Sequence, residues 1–268
     1  MTGFADGLGD ARRAVTAYFG FHVPERAGDP EGGDLLDDIG DTVHGAELPD
    51  LDRTKRAASP APSASSALPD RNAPEADASG RPAVLAAIEA DTEALGFTMS
   101  CEEAVGRLLR ALAAAKPGGR LLELGTGTGA GTAWLLAGMD GQTTLDTLDH
   151  DPETLAVARR HHGDDPRVTL HEADGGPWLA DRVGAPGYDL VFADTWPGTF
   201  THRDEALSLV RRGGFYVVDD LDRQPEGAVP DGHRSAVDEL VADLESRAGW
   251  AALPLLGWSC GVLVLVRT

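Results

Sequence analysis

Leu121-Leu122-Glu123-Leu124-Gly125-Thr126-Gly127-Thr128-Gly129-Ala130 is the stretch whose reading decides the fold. A short apolar run opens it, three alternating glycines follow, and apolar helical texture resumes through Leu136. Glycine reaches left-handed angles at little cost and leaves no Cβ in the path of a ligand, so this pattern reads as strand, tight loop, helix. Downstream, strands are expected at Thr143–Leu148, Val168–Glu172, Tyr188–Ala193 and Phe215–Val218. Tyr188–Ala193 is a continuous apolar run, as in parallel strands covered on both faces. Helices are expected at Pro152–His162, with the proline suited to a first turn, and from about Ser235 to Arg247. Two last strands, roughly Ala251–Leu256 and Cys260–Val266, are joined by about four residues, too few for a parallel crossover. They should form an antiparallel hairpin. Upstream, helices are expected over residues 82–96 and from Glu102 to Ala115, the second ended by Lys116-Pro117-Gly118-Gly119. The alternation predicts an α/β fold with a doubly wound, mostly parallel seven-stranded sheet and an antiparallel closing hairpin.

The first eighty residues differ in texture. A short amphipathic helix fits residues 8–21, and Asp34 to Asp52 is acidic with few large apolar groups. Ala57 to Ala83 is rich in Pro, Ala and Ser, a composition that buries too little apolar surface to offset the entropy of ordering. The expected organisation is an irregular acidic extension or cap (1–56), a linker (57–83) and the main domain (84–268).

Across 268 residues, 23 Lys and Arg face 44 Asp and Glu, a formal charge of −21. A surface this negative repels phosphate backbones and anionic lipid, so neither nucleic acid nor membrane is an expected partner. The opening residues lack a secretion signal, and no run reaches the roughly 18 apolar residues of a membrane span. A cytoplasmic protein is expected; a homodimer is left open. Cys101 and Cys260 stand far apart without ligand spacing, which argues against a disulfide scaffold or a zinc site.

Asp149 ends the second strand, 24 residues after Gly125, where a carboxylate can accept from both ribose hydroxyls. Gly125 to Ala130 also fits a dinucleotide loop, so the loop and the acid alone leave a nucleotide-dependent dehydrogenase open.

LLELGTGTGAGTAWLL followed by TLDHDPETLAVARRH resembles the first two motifs of class I S-adenosylmethionine (SAM)-dependent methyltransferases, over roughly Thr98 to Thr268. Glu123 two residues before the first glycine, helices before the first strand and the closing hairpin favour that family over a dehydrogenase. The resemblance implies a Rossmann-like methyltransferase fold and SAM as cofactor. Glu123, Gly125, Thr126 and Gly127 would then line its methionine portion, and Thr132 would hold its carboxylate. Asp149 would take the ribose, His150 would flank the adenine, and Asp174 with Gly175 would meet the adenine edge. His161-His162 is read as solvated helix surface.

Strand four ends in Asp194-Thr-Trp196 and strand five in Asp219-Asp220. Parallel neighbours bring their carboxyl ends together, so three carboxylates would converge and repel, and a hard divalent cation relieves that repulsion. The pattern resembles the catechol and caffeoyl-CoA O-methyltransferase group, whose ligands are an Asp after strand four and an Asp-Asn pair after strand five. By that resemblance Asp194, Asp219 and Asp220 would hold Mg²⁺ or another divalent cation, and Asp194 and Trp196 would adjoin the cofactor. Met99-Ser-Cys-Glu-Glu103 resembles the lid of the caffeoyl enzymes, which places Met99 near SAM. Two departures stand out: Asp220 replaces the usual Asn, and Pro197 occupies the place of a basic lysine. That leaves His202 or a carboxylate such as Asp194 to deprotonate the acceptor, a small molecule with a hydroxyl. The alternatives are a metal-independent N- or carboxyl-methyltransferase, in which Asp219 and Asp220 only cap the strand, and a non-catalytic SAM-binding protein.

Overall fold

The computed structural model describes residues 80–221 and 233–268. The acidic extension, the helix expected at 8–21 and nearly all of the linker lie outside the described residues.

Two helices, α1 (Leu85–Leu95) and α2 (Glu103–Ala114), precede the sheet. Then come β1 (Arg120–Leu124), α3 (Ala130–Gly138), β2 (Thr144–Asp149), α4 (Pro152–His162) and β3 (Val168–Glu172). A short α5 (Gly175–Ala180) leads to β4 (Tyr188–Ala193), and α6 (Arg203–Ser208) to β5 (Val210–Val218). The chain closes with α7 (His233–Ser246), β6 (Trp250–Leu255) and β7 (Val262–Arg267). The seven strands lie in the order β3-β2-β1-β4-β5-β7-β6. The first five are mutually parallel, while β7 runs antiparallel to both β5 and β6. The doubly wound sheet and antiparallel hairpin read from the sequence are therefore present.

Alternation along each strand divides the core between the two faces. Leu121 of β1 with Leu190 and Phe192 of β4 packs under α2 and α3 through Val105, Leu109 and Leu135. Leu122, Leu124, Val191 and Ala193 point the other way, against α5, α6 and α7. On the second face α7 supplies Val237, Leu240, Val241 and Leu244, four positions on one helical stripe. α3 is apolar nearly all round because it is buried on two sides, with Trp134 packed beside Leu85 and Ile88 of α1.

Four elements differ from the sequence reading. β5 begins at Val210, not Phe215, because Val210 already pairs with Tyr188; the register then shifts, and Phe215 pairs with Leu190. Arg211 to Gly214 form that irregularity inside the strand. The hairpin turn has six residues, 256–261, because Trp258 and Gly261 close it with backbone bonds to Leu255 and Trp258. α5 and α6, of six residues each, are too short to show a period.

Candidate active site

One row of the sheet organises the site. Leu148, Leu124, Ala193 and Val218 are register partners across β2, β1, β4 and β5. The residue after each is Asp149, Gly125, Asp194 and Asp219. One step beyond the strands' carboxyl ends, the topology lines up the glycine loop between three acids. The strand order reverses at β1 and β4, so this is the crevice where open α/β sheets bind ligands.

The loop is built for close approach. Gly125 sits at φ 100°, and a Cβ there would stand 2.5 Å from the carbonyl oxygen of Asp194. The Gly125 and Thr126 N–H groups both donate to the Leu148 carbonyl, and Gly127 N–H donates to Asp149 Oδ2 at 2.8 Å. His162 fixes the far end: its Nε2 bonds the Gly129 carbonyl at 2.9 Å. His162 is buried, and burial pushes its pKa below the usual value, so the neutral ring serves as donor. His161 bonds Asp91 of α1 at 2.8 Å. Neither histidine is the solvated surface the sequence suggested, because α4 packs against both α1 and the loop.

A small open cleft lies beside the loop, lined by Gly125, Leu148, Asp149, His150, Ala173, Gly175, Thr195 and Pro197. Gly125, Asp149, His150 and Gly175 were expected there. Leu148, Ala173 and Pro197 form its apolar walls. Asp174 stands at the rim, exposed, its Oδ1 accepting Gly176 N–H as the cap of α5. Met99 lies exposed before α2, while Phe97 packs over Gly127. Phe97 escaped the sequence reading because a lone aromatic after a helix carries no pattern.

Several expected ligands are committed elsewhere. Thr132 is wholly buried and donates to Glu123 Oε2 at 2.5 Å. The Thr126 hydroxyl bonds Thr147 at 2.6 Å, and Thr147 also donates to Glu123 Oε2, at 2.7 Å. Thr132 and Thr126 therefore spend their hydroxyls inside the protein, not toward the cleft. Trp196 stacks on Phe200, with ring centroids 4.5 Å apart, in a kinked turn whose Pro197 and Gly198 leave helical angles. His202, at φ 52°, is exposed ahead of α6 with its ring against Gly176, outside the residues that line the cleft.

The acids crowd one another in a buried setting. Burial raises the Asp194 carboxyl well above the usual range, and Asp219, Asp220, Glu123 and Asp149 raise it further. Burial pushes Asp219 up to about 6, although Cys260 and the Asp220 N–H donate to it. Glu123 is pushed up to about 7 by burial, against the two threonine donors, and its Oε1 has no partner among the described residues. Cys260 reaches this cluster because β7 runs back along β5, with Leu221 N–H bonding the Gly261 carbonyl. Its Sγ donates to Asp219 Oδ1 at 2.8 Å. Asp219, Asp220 and Cys260 each offer a ligand atom within 4.8 Å of the other two. Asp194 is not of that set and adjoins it through the β4–β5 register. The sequence reading did not place Cys260 beside Asp219, since spacing along the chain does not report a contact made by an antiparallel return.

Among the described residues, no helix is long and apolar enough to cross a membrane. Residues 122–221 match the family described as a methyltransferase domain. A Mycobacterium ulcerans protein described as an O-methyltransferase is 36% identical over 174 residues, spanning 61% of this chain and 76% of that protein. A Mycobacterium leprae relative with the same description is 33% identical over 195 residues, covering 69% of this chain and 85% of its own length. Cofactor-bound Rv0187 from MTB superposes with a TM-score of 0.61 at 26% identity, over 69% of this chain and 89% of that one. The Bacillus cereus O-methyltransferase in complex with SAH gives 0.61 at 18% identity, over 69% and 90%, and shares the fold. With that fold, this glycine loop and these relatives, the chain belongs to the O-methyltransferase family.

Proposed function

We propose that the protein transfers a methyl group from SAM to a hydroxyl of a small molecule, with a divalent cation at the carboxylate cluster. The observation that carries this reading is the register row: one line across four strands sets the glycine loop between Asp149 on one side and Asp194 and Asp219 on the other.

The residues fit the cofactor. Asp149 stands beside a cleft with apolar walls, Leu148 and Pro197, suited to a ribose and a flat base. His150 borders the same cleft, with Asp174 and Gly175 at its inner rim. SAM supplies a methyl on a sulfonium, and the chain's part is to align the acceptor behind it. Gly125 and Gly127 line the donor's path, and Glu123 keeps the loop in place through Thr132 and Thr147. Thr126, Trp196 and Met99 act at one remove, by loop support, packing and cover.

The donor set also fits a cation. Asp219 receives both of its donors on Oδ1, so Oδ2 receives none among the described residues. Asp220 and Asp194 add carboxylates that repel each other. A bound cation lowers the pKa of a ligated hydroxyl and holds it for attack. The acceptor's proton passes to a cluster carboxylate; Asp194, whose basicity burial and the neighbouring acids raise, is the first candidate, with His202 as second. The net charge of −21 favours a small acceptor over nucleic acid. A homodimer would form along β6, the outer strand, where Leu253 is exposed and Leu256 and Trp258 follow in the turn. We place the domain boundary near residue 80, with residues 1–56 an extension and 57–83 its linker.

Calorimetry tests the donor: SAM and its demethylated product should bind and NAD should not, with Asp149→Ala weakening SAM strongly. On an acceptor panel, Asp219→Ala should abolish turnover and spare SAM affinity. Full activity of Asp219→Ala, or turnover that survives EDTA, would rule out the cation.

A further inference from the structure

The cation reading leaves one neighbouring group unused, the thiol of Cys260. We infer that Cys260 is a ligand of this site, which makes it a mixed oxygen–sulfur centre selective for Zn²⁺-like divalent ions over Mg²⁺. This rests on the proposed cation site and specifies its chemistry.

Position comes first. The thiol is delivered by the hairpin turn, where Ser259 takes a left-handed φ of 56° and bonds Glu102 at the start of α2. Gly261 then ties the turn to Leu221, two residues past Asp219. Cys260 is thus held from both sides, and its Sγ lies 2.8 Å from Asp219 Oδ1. Sγ and one oxygen each of Asp219 and Asp220 lie mutually within 4.8 Å, a span one ion bridges with small side-chain rotations. A second observation points the same way. Asp219 is only 6% exposed, yet its Oδ2 receives no donor among the described residues.

Chemistry then decides the ion. Mg²⁺ takes oxygen ligands in a near-ideal octahedron and holds its waters, so a thiol offers it little. Zn²⁺ and Co²⁺ accept thiolate, imidazole and carboxylate together in four-coordinate sites. Asp219, Asp220 and Cys260 supply three such ligands and leave room for an acceptor oxygen. The balance is simple. The thiol now donates its proton to Asp219; on binding, the sulfur–hydrogen bond breaks, a sulfur–metal bond forms, and the proton leaves to solvent. Uptake should therefore release a proton and tighten with rising pH.

The test uses the full chain, anaerobic, with Co²⁺ as probe. Equilibrium dialysis should find one Co²⁺ per chain, and absorption should show an intense near-ultraviolet thiolate-to-cobalt band. Cys260→Ser should lose the band and weaken Zn²⁺ by more than the roughly 10–100-fold that losing a supporting partner costs, leaving Mg²⁺ affinity unchanged. Cys101→Ser should keep the band. Co²⁺ that binds without a band, with Cys260→Ser as tight as the parent, overturns the sulfur ligand and leaves the cation site standing. A band that persists in Cys260→Ser also overturns it. Absence of any bound divalent ion overturns both readings. Calorimetry of SAH with Cys260→Ser should match the parent, showing that the variant folds.

Discussion

Glu123 is a charged residue set in apolar surroundings. It lies in the core beneath α3, accepts from two threonine hydroxyls on Oε2 and has no partner on Oε1 among the described residues. Its pKa of about 7, against 4.5 in the unfolded chain, means that the unfolded state loses its proton first as pH rises. Stability from this group is therefore fully present below pH 4.5, declines through the window up to about 7, and is flat beyond. Glu123→Gln should flatten that decline and be more stable relative to the parent at pH 8 than at pH 4.5, as read by denaturant unfolding at both. A parent whose stability does not fall across that window would contradict the raised pKa. Gly125 gives a second prediction. Alanine there meets the Asp194 carbonyl at 2.5 Å from a left-handed backbone, so Gly125→Ala should cost about 1–3 kcal/mol and lower SAM affinity. The loop's glycines and Asp149 were legible in sequence because each has a backbone or charge requirement. Phe97, Thr195 and Cys260 were not, because only the folded chain brings them to the site.

Elements were unevenly legible. α4, β3 and β4 fall at the residues the pattern predicts: Pro152 opens α4, β-branched Val168 and Thr169 open β3, and β4 is a mostly apolar run. α5, α6 and the kinked turn at Trp196 are too short to do so, and they carry Asp174, His202 and Trp196, the positions where placement changed most. Contact between elements can also override propensity. α2 crosses α3 at Gly106, where a Cβ would fall 2.2 Å from the Trp134 ring. Alanine improves helix propensity by about 1 kcal/mol over glycine. Overpacking against a wholly buried indole costs typically 1–3 kcal/mol, so packing should win. Gly106→Ala should lower the melting temperature; a rise would mean that α2 can move away from α3.

Charge is a property of the whole chain. With 44 acids against 23 bases, self-repulsion opposes compaction, and raising salt shortens its reach from ~30 Å at 0.01 M to ~8 Å at 0.15 M. The melting temperature should rise over that range. Zn²⁺ at equal ionic strength should raise it further, because binding to the folded state alone adds stability that screening does not. Equal shifts with NaCl and Zn²⁺ would mean that no cation site exists. Removing residues 1–79 should leave both the melting temperature and SAM binding nearly unchanged if the boundary near residue 80 is right.

The strand order carries a consequence for how the molecule comes into being. β7 follows β6 in the chain yet lies between β6 and β5. On the ribosome, the sixth strand must wait without a neighbour until the seventh emerges and slides into the gap. The same insertion delivers Cys260 to Asp219. A growing chain can thus shape its glycine-loop cleft early, while Cys260 joins the acidic cluster only after the seventh strand has emerged and found its gap.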